Sequence, residues 1–307
     1  MSLDPQIAAI IEQLDGAFPP VHQMSGAEAR ALIRSRLQPP AQPEAVAKVI
    51  NRSVHRTDSL LPVRIYQPDA AGPLPILVYA HGGGFVFCGL DSHDELCRDI
   101  ANLIPAVVIS VDYRLAPEHA WPCAAEDIYD VTYWARRNAV ELGGDPERVL
   151  VGGDSAGGNL AAVTAVMARD RGGPALAGQL LLYPVIAADF DTESYRLFGK
   201  GYYNPKAAMR WYWDCYVPSP DDRSHPYVAP LHADLHGLPP AVVVVAGHDP
   251  LRDEGLAYCA ALHRAGVPTT QLHFEGGIHG FLTMPMLDIA HRGRKQAAAA
   301  LGDLLRG

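Results

Sequence analysis

A chain of 307 residues in which 49% are hydrophobic and 19% are charged has the composition of a folded globular protein, and not of a disordered one. Its formal net charge of −9 excludes nucleic acid as an expected partner, because no basic run or basic patch with interleaved aromatic residues offsets that charge. The five cysteines are scattered and form no C-x-x-C pair, so neither a disulfide scaffold nor a zinc site is expected.

The amino terminus and the apolar stretches predict a cytoplasmic protein without stable membrane insertion. The first 16 residues contain an early acid and lack the basic region of a signal peptide. The longest mostly apolar stretch, 175–188, contains Gln179 and Pro184. It is shorter than the roughly 20 residues that cross a bilayer.

In chain order, the first fifty residues are helical in pattern and are interrupted by the proline pairs Pro19-Pro20 and Pro39-Pro40. Short apolar strands then alternate with longer amphipathic segments. Strands are predicted at 63–68, 76–80, 106–113, 149–153, 180–185, 241–247 and 269–275, and helices at 123–142, 158–171, 251–265 and 286–306. Several strands are continuous apolar runs, which is typical of parallel strands buried on both faces. The alternation predicts an α/β fold with a mostly parallel central sheet flanked by helices.

Two segments depart from this alternation. In the last predicted strand Thr270, Leu272 and Phe274 alternate with more polar residues, which indicates a half-exposed strand at a sheet edge. The segment 187–235 carries many tyrosines and tryptophans among prolines and charged residues. We interpret it as a helical insertion that forms a lid with the N-terminal segment, and an ordinary pair of surface helices is the alternative.

A candidate nucleophile lies in Gly153-Asp154-Ser155-Ala156-Gly157, between a predicted strand and a predicted helix. A serine on such a tight turn takes a strained backbone conformation that lifts its hydroxyl clear of the sheet, and small neighbours let the helix pack closely on the strand. The following amides and the helix N-terminus then lie beside any oxyanion that develops. The pattern G-x-S-x-G is weak evidence by itself, but its place between strand and helix strengthens it.

A glycine-rich loop, His81-Gly82-Gly83-Gly84-Phe85, directly follows a predicted strand. Successive glycines expose backbone N–H groups and permit positive φ, as an anion-binding nest requires. A phosphate-binding loop is the alternative, but this loop contains neither G-K-[ST] nor G-x-G-x-x-G. Paired with the serine turn, it is better interpreted as an oxyanion hole.

A general base and the acid that orients it should follow the serine in the order Ser, acid, His. Asp249 and His279 each lie just after a predicted strand. Because ligands bind at the carboxyl ends of the strands in open α/β sheets, both side chains can converge on Ser155. The rival candidates in the same part of the chain are Asp253, Glu254, His248 and His273.

These motifs, together with DYRLAPEH at Asp112 and DPLRDEG at Asp249, resemble those of the hormone-sensitive lipase family of bacterial and archaeal esterases. They run from residue 81 to residue 281 in the family's order, so the resemblance covers most of the chain. It implies an α/β-hydrolase fold with a helical cap and a segment 112–119 that supports the glycine loop. It also implies dimerisation, in some members, through the edge strand between Thr269 and Glu275.

The resemblance assigns residues to each part of the site. It implies a catalytic triad of Ser155, Asp249 and His279. It also implies an oxyanion hole made by Gly82, Gly83, Gly84 and Ala156, with amide donors from Gly83, Gly84 and Ala156, and with Gly82 also helping to shape the loop. Substrate contacts are expected from two motif residues and two aromatic residues of the insertion, namely Phe85, Asn159, Tyr202 and Trp211. The expected domains are 1–48 (N-terminal part of the cap), 49–186 (first part of the catalytic core), 187–235 (cap insertion) and 236–307 (second part of the core).

The expected activity is hydrolysis of small carboxylic esters with short to medium acyl chains, through an acyl-enzyme and without a metal or organic cofactor. An amidase, a deacetylase or a lactonase with the same triad is an alternative that the motifs do not separate. A non-catalytic receptor is a second alternative, since plant gibberellin receptors resemble this family but lack the catalytic histidine. The presence of His279 favours an enzyme.

Overall fold

The computed structural model describes residues 2–56 and 60–306. Met1, residues 57–59 and Gly307, which the predicted domain ranges include, lie outside the described residues. The strands are β1 (Lys48–His55), β2 (Leu60–Gln67), β3 (Leu74–Ala80), β4 (Val107–Val111), β5 (Gly144–Asp154), β6 (Gly178–Leu182), β7 (Ala241–His248) and β8 (Thr269–Ile278). The α-helices are α1 (Pro5–Ala17), α2 (Gly26–Arg36), α3 (Asp94–Leu103), α4 (Cys123–Arg137), α5 (Ala156–Asp170), α6 (Glu193–Phe198), α7 (Lys206–Tyr216), α8 (Arg252–Arg264) and α9 (Asp288–Leu304).

The strands form one sheet in the order β1-β2-β4-β3-β5-β6-β7-β8. The pairs β1–β2 and β2–β4 are antiparallel, and the remaining neighbours are parallel. All residues of β3, β4, β6 and β7 are buried, which explains why these strands are mostly apolar in sequence. The predicted α/β-hydrolase architecture, with a mostly parallel sheet flanked by helices, is confirmed.

Helices cover both faces of the sheet. On one face α4, α5 and α8 pack against β-strand residues such as Val78, Val149 and Val243. On the other face α1, α3 and α9 pack against residues such as Leu77 and Val244. The central helix α5 is almost wholly buried, and its run of small residues lets it lie close to the sheet. The carboxyl ends of the parallel strands therefore remain as the edge where a site can form.

Two elements escaped the sequence analysis. Strand β1 lies at the sheet edge and is largely exposed, so its sequence lacks the apolar run that marks the inner strands. Helix α3 is short and buries a narrow apolar stripe that includes Leu96 and Ile100, so its periodic signal is brief. The strands and helices that were predicted are present, and their observed ends differ from the predicted ends by a few residues.

The segment between β6 and β7 contains α6 and α7 and contacts the N-terminal segment. The amide of Tyr203 donates a hydrogen bond to Asp15 Oδ1 of α1 at 3.0 Å. The rings of Phe18 and Tyr203 meet edge to face, with their centroids 5.4 Å apart. The two segments thus touch each other as a lid of two parts would require.

Candidate active site

Ser155 lies at the turn between β5 and α5, at the carboxyl edge of the sheet. Its φ of 55° and ψ of −118° are strained for a residue with a side chain. The turn is held by the Ser155 amide, which donates to the Leu182 carbonyl at 2.9 Å, and by the Ser155 carbonyl, which accepts from the Val185 amide at 3.0 Å. A Cβ added to Gly157 would come within 1.9 Å of the Ala80 carbonyl oxygen, so this position accepts only glycine. The small residues of the motif are therefore a consequence of close packing.

Three side chains from distant parts of the chain form a hydrogen-bonded series. His279 Nε2 lies 2.9 Å from Ser155 Oγ, and His279 Nδ1 lies 2.7 Å from Asp249 Oδ2. Because a carboxylate oxygen only accepts, Nδ1 carries the proton and Nε2 is left to accept from the serine hydroxyl. The other carboxylate oxygen of Asp249 accepts from the Leu251 amide at 2.8 Å, which orients the carboxylate. The exposed fractions are 8% for Ser155, 1% for Asp249 and 8% for His279, so the series is shielded from water.

The two rival acids serve other parts of the structure. The Asp253 carboxylate accepts from the Ser194 amide at 2.7 Å, at the start of α6. The Glu254 carboxyl accepts from the Ile186 amide at 2.7 Å, and burial raises its pKa well above the usual value. Neither acid is hydrogen-bonded to His279.

Of the two rival histidines, His248 is bonded to the backbone of β8, and His273 lies within β8 itself. His248 Nδ1 lies 2.9 Å from the Glu275 carbonyl, and its ring stacks on Tyr202. His273 is half-buried within β8, and burial lowers its pKa. Among the described histidines, His279 is the one within hydrogen-bonding distance of Ser155 Oγ.

The glycine loop has the conformation expected of an anion-binding nest. Gly83 and Gly84 have φ of 113° and 59°. Within the described part of the chain, no protein acceptor is found for the amides of Gly83, Gly84 and Ala156. The amide of Gly82 instead donates to Asp154 Oδ1 at 3.0 Å. Gly82 is thus corrected from a member of the oxyanion hole to a residue that shapes the loop.

Two of the four expected substrate contacts face the protein interior. The ring of Phe85 is 1% exposed and stacks on Tyr216 with centroids 3.9 Å apart. The Asn159 amide group donates to the carbonyls of Val185 and Val228, at 3.0 and 2.8 Å. Both assignments are corrected, because packing and backbone hydrogen bonds occupy these side chains.

The two aromatic residues predicted in the insertion pack on other aromatic rings. Tyr202 packs on Phe198 and His248, and Trp211 meets Tyr212 edge to face at 5.6 Å. Among the described residues, the rings that Tyr202 and Trp211 meet belong neither to the triad nor to the glycine loop.

The adjacent tyrosines are the ones that approach the site. A Cβ added to Gly84 would lie 2.4 Å from the Tyr212 ring, so this ring lies directly against the glycine loop. The ring of Tyr203 lies 3.9 Å from the equivalent position on Gly280, next to His279. Sequence analysis missed both, although the aromatic-rich insertion was the signal that indicated the right segment.

The fold and this arrangement of side chains define the class of α/β hydrolases with a nucleophilic serine. Residues 77–283 match a protein family described as having the alpha/beta hydrolase fold. The chain belongs to this family.

Its relatives and structural neighbours include named ester hydrolases. Carboxylesterase NlhH of Mycobacterium tuberculosis is 41% identical over 293 residues, which cover 92% of this chain and 91% of that protein. Ethyl acetate hydrolase of Pseudomonas putida is 34% identical over 303 residues, which cover 92% and 93% of the two chains. The solved structure of ester-hydrolase EH1AB1 from the metagenome of Lake Arreo matches with a TM-score of 0.93 at 39% identity, covering 99% of this chain and 100% of that chain.

The described residues contain neither a membrane-spanning helix nor a cluster of metal-ligating side chains. No helix in residues 2–56 and 60–306 is long and apolar enough to cross a membrane. Over the same residues, no group of three or more His, Cys, Asp or Glu side chains is placed to hold a metal ion.

Proposed function

We propose that this carboxylic ester hydrolase acts through an acyl-enzyme formed on Ser155. Ester hydrolysis is supported by the relatives and structural neighbours, which are named as a carboxylesterase, an ethyl acetate hydrolase and an ester-hydrolase. The observation that carries the assignment of residues is the hydrogen-bonded series from Asp249 through His279 to Ser155.

In the proposed reaction His279 Nε2 takes the proton of Ser155 as Oγ attacks the ester carbonyl. Asp249 holds the imidazole in the tautomer that can accept this proton and stabilises the imidazolium that forms. The imidazolium then protonates the leaving alcohol. A water molecule then attacks the acyl-enzyme carbonyl while His279 takes its proton. His279 returns that proton to Ser155 Oγ as the acid is released, and the free enzyme is restored.

The tetrahedral oxyanion would be held by the amides of Gly83, Gly84 and Ala156. These three donors are free of protein acceptors among the described residues, and Ala156 begins α5, whose N-terminus adds a favourable partial charge. Each such donor contributes about 10²–10³ in rate when it is oriented in advance.

The nucleophile is tested by the Ser155→Ala variant. Because triad residues act as a unit, we expect kcat on nitrophenyl acetate to fall by about 10⁵–10⁶-fold. A fluorophosphonate should label the wild type at Ser155 and leave the variant unlabelled, as read by peptide mapping. Ser219→Ala, which removes an exposed serine, is the control and should keep full activity. Near-normal hydrolysis by the Ser155 variant would refute the assignment.

Assays with different substrates distinguish esterase activity from the alternative activities. Amidase, deacetylase and lactonase activity would use the same triad, so matched esters, amides and lactones should be compared in one assay. The names of the relatives favour esters. A receptor without catalysis is disfavoured, because His279 is present and hydrogen-bonded to Ser155.

The finer features of the family are proposed on the same basis. We place the chain in the hormone-sensitive lipase branch, on its HGGGF, GDSAGGN and DPLRDEG motifs. We propose that 1–48 and 187–235 act together as a cap over a core of 49–186 and 236–307. A cytoplasmic location and a homodimer through the exposed edge of β8 complete the proposal.

A preference for short to medium acyl chains is proposed from the two tyrosines near the site. The rings of Tyr212 and Tyr203 lie against Gly84 and beside Gly280, where they would limit the space for an acyl chain. We expect Tyr212→Ala to raise the rate on longer nitrophenyl esters relative to the acetate by about tenfold. Tyr212→Phe should leave the chain-length profile unchanged.

Trp211→Ala is the comparison for this test, since Trp211 lies one residue earlier on the same helix. If Trp211→Ala shifts the profile and Tyr212→Ala does not, Trp211 is the substrate contact and the Tyr212 assignment is wrong. If the wild-type hydrolysis rate rises steadily with acyl-chain length up to long chains, the proposed preference for short to medium chains is wrong.

A further inference from the structure

Directly before the proposed nucleophile, β5 ends on a buried carboxylate that has no part in the proton relay. Asp154 is 4% exposed. Its Oδ1 accepts hydrogen bonds from the Tyr79 hydroxyl at 2.8 Å and from the Gly82 amide at 3.0 Å. A buried carboxylate is costly unless its partners compensate for the lost water, so its presence here calls for an explanation.

A buried histidine connects this carboxylate to Gly89, which lies four positions after the glycine loop ends at Phe85. His93 is 6% exposed, and its Nε2 lies 3.2 Å from Oδ1 and 3.3 Å from Oδ2 of Asp154. Its Nδ1 lies 2.9 Å from Ser92 Oγ. The Ser92 hydroxyl donates to the Gly89 carbonyl at 2.8 Å and accepts from the Gly89 amide at 3.0 Å. One carboxylate is thereby linked directly to Gly82 within the loop, and through His93 and Ser92 to Gly89 beyond it.

The first peptide groups of the loop are held in a defined orientation. The His81 carbonyl accepts from the Tyr113 hydroxyl at 2.8 Å, and the Gly82 amide of the same peptide donates to Asp154. The Gly82 carbonyl accepts from His81 Nδ1 at 2.7 Å. In a trans peptide the N–H points opposite to the C=O, so holding the Gly82 carbonyl toward the His81 ring turns the Gly83 amide away from it.

The charge state of Asp154 agrees with this arrangement. Burial alone would raise the pKa of its carboxyl, but the nearby His93 and the hydrogen bonds from His93 and Tyr79 outweigh burial and hold that pKa below its usual value. An ionised carboxylate accepts hydrogen bonds only, as its three partners require.

We propose that Asp154 is a positioning residue for the oxyanion hole. With His93 it holds Gly82 within the glycine loop and Gly89 beyond its end, so that the amides of Gly83 and Gly84 are oriented before substrate binds. The inference rests on the proposed function of Ser155, because it assigns these residues to the same site. Neither side chain touches the reacting atoms. Their effect passes through the backbone of the loop.

The test uses three variants and one matched control in the full chain. Asp154→Ala removes all acceptors, Asp154→Asn keeps one oxygen for Gly82 and Tyr79, and His93→Ala releases the link to Gly89. The control is Asp94→Ala. The Asp94 carboxylate also accepts from a tyrosine hydroxyl, that of Tyr66 at 2.8 Å, and it pairs with Arg64 and Arg98 instead of with Asp154 or Gly82.

The measurements are kcat and KM on nitrophenyl acetate and the inhibition constant of a trifluoromethyl ketone, whose hemiketal oxyanion occupies the proposed hole. For Asp154→Ala we expect kcat to fall about 10²-fold with KM within about threefold, and inhibition by the ketone to weaken by a similar factor as kcat. Asp154→Asn should restore most of the activity, and His93→Ala should lie between the two. Asp94→Ala should lower the unfolding temperature without changing kcat.

Some outcomes would overturn the proposal. These are unchanged kcat and ketone inhibition in both Asp154→Ala and His93→Ala, or an equal loss of kcat in Asp94→Ala. If Asp154→Ala does not fold, His93→Ala decides, since it leaves the carboxylate and its bond to Gly82 in place. Fluorophosphonate labelling of each variant separates the two proposals. An active wild type that is not labelled at Ser155 refutes the proposed function, whereas labelled variants with normal kcat refute only the positioning role.

Discussion

At the scale of single residues, the site depends on polar side chains placed where water does not reach. His81 is fully buried at the base of the glycine loop and stacks on Tyr113, with ring centroids 4.3 Å apart. Its Nδ1 must carry a proton to donate to the Gly82 carbonyl, and its Nε2 has no partner among the described residues. Burial, with a contribution from nearby His93, lowers the pKa of His81 to about 3.

This histidine should make stability depend on pH. Between the ordinary pKa near 6.5 and the folded pKa of about 3, the unfolded chain binds a proton that the folded protein does not. Stability is therefore fully present above about pH 6.5 and is lost as pH falls, by up to about 1.4 kcal/mol per pH unit from this residue. Urea unfolding of wild type and His81→Phe between pH 7 and pH 4 measures the effect. The variant should lose less stability, and parallel curves would contradict the prediction.

At the scale of elements, the turn from β5 to α5 decides where the nucleophile lies. Helix α5 can approach the sheet only because its first residues are small, and Gly157 lies against the Ala80 carbonyl oxygen at the end of β3. The strained backbone of Ser155 is maintained by bonds to Leu182 and Val185, which follow from the neighbouring strand β6. The packing of three elements thus positions one hydroxyl.

A pair of glycine substitutions tests this packing. Gly157→Ala should destabilise the protein by about 3 kcal/mol or more and abolish activity, because the added methyl group overlaps backbone atoms that cannot move independently. Gly16→Ala, within α1, meets no atom within 4 Å and should stabilise by up to about 1 kcal/mol through helix propensity. Unfolding midpoints of both variants measure these effects. A mild effect of Gly157→Ala would show that the turn can relax.

At the scale of the whole molecule, the sheet ends on the exposed strand β8. Thr270, Gln271 and Glu275 are exposed along it, and the Asp4 amide before α1 donates to the Gly276 carbonyl near its end at 3.0 Å. The segment before Gly276 therefore keeps an edge on which a second copy can pair, as proposed above.

Proline substitutions at neighbouring positions test the dimer. Successive amides of a strand point to opposite sides, so of Thr270→Pro and Gln271→Pro one removes an outward donor and the other breaks the pairing with β7. We expect the outward substitution to give a monomer by sedimentation velocity at an unchanged unfolding temperature. The inward one should lower that temperature. A wild type that sediments as a monomer at micromolar concentration would rule out the dimer.

Much of the fold and of the site could be predicted because the signals are local. Buried strands such as β3 and β7 read as apolar runs, and the positions of Ser155, Asp249 and His279 just after strands predicted their meeting at one edge. The motifs also identified the glycine loop.

The features of the site that could not be predicted depend on contacts between distant segments of the chain. The substrate contacts expected at Tyr202 and Trp211 fall one residue before the tyrosines that lie near Gly84 and Gly280, because long-range packing sets which side chain of the insertion turns inward. The hydrogen bond between Asp154 and His93 could likewise not be predicted, since 61 positions separate the two residues in the chain. By itself, the sequence determined the order of elements and the chemistry available to the protein, as both follow from local pattern. Only the tertiary structure decided which side chains face the site and which support it, because side-chain direction depends on packing that no local pattern contains.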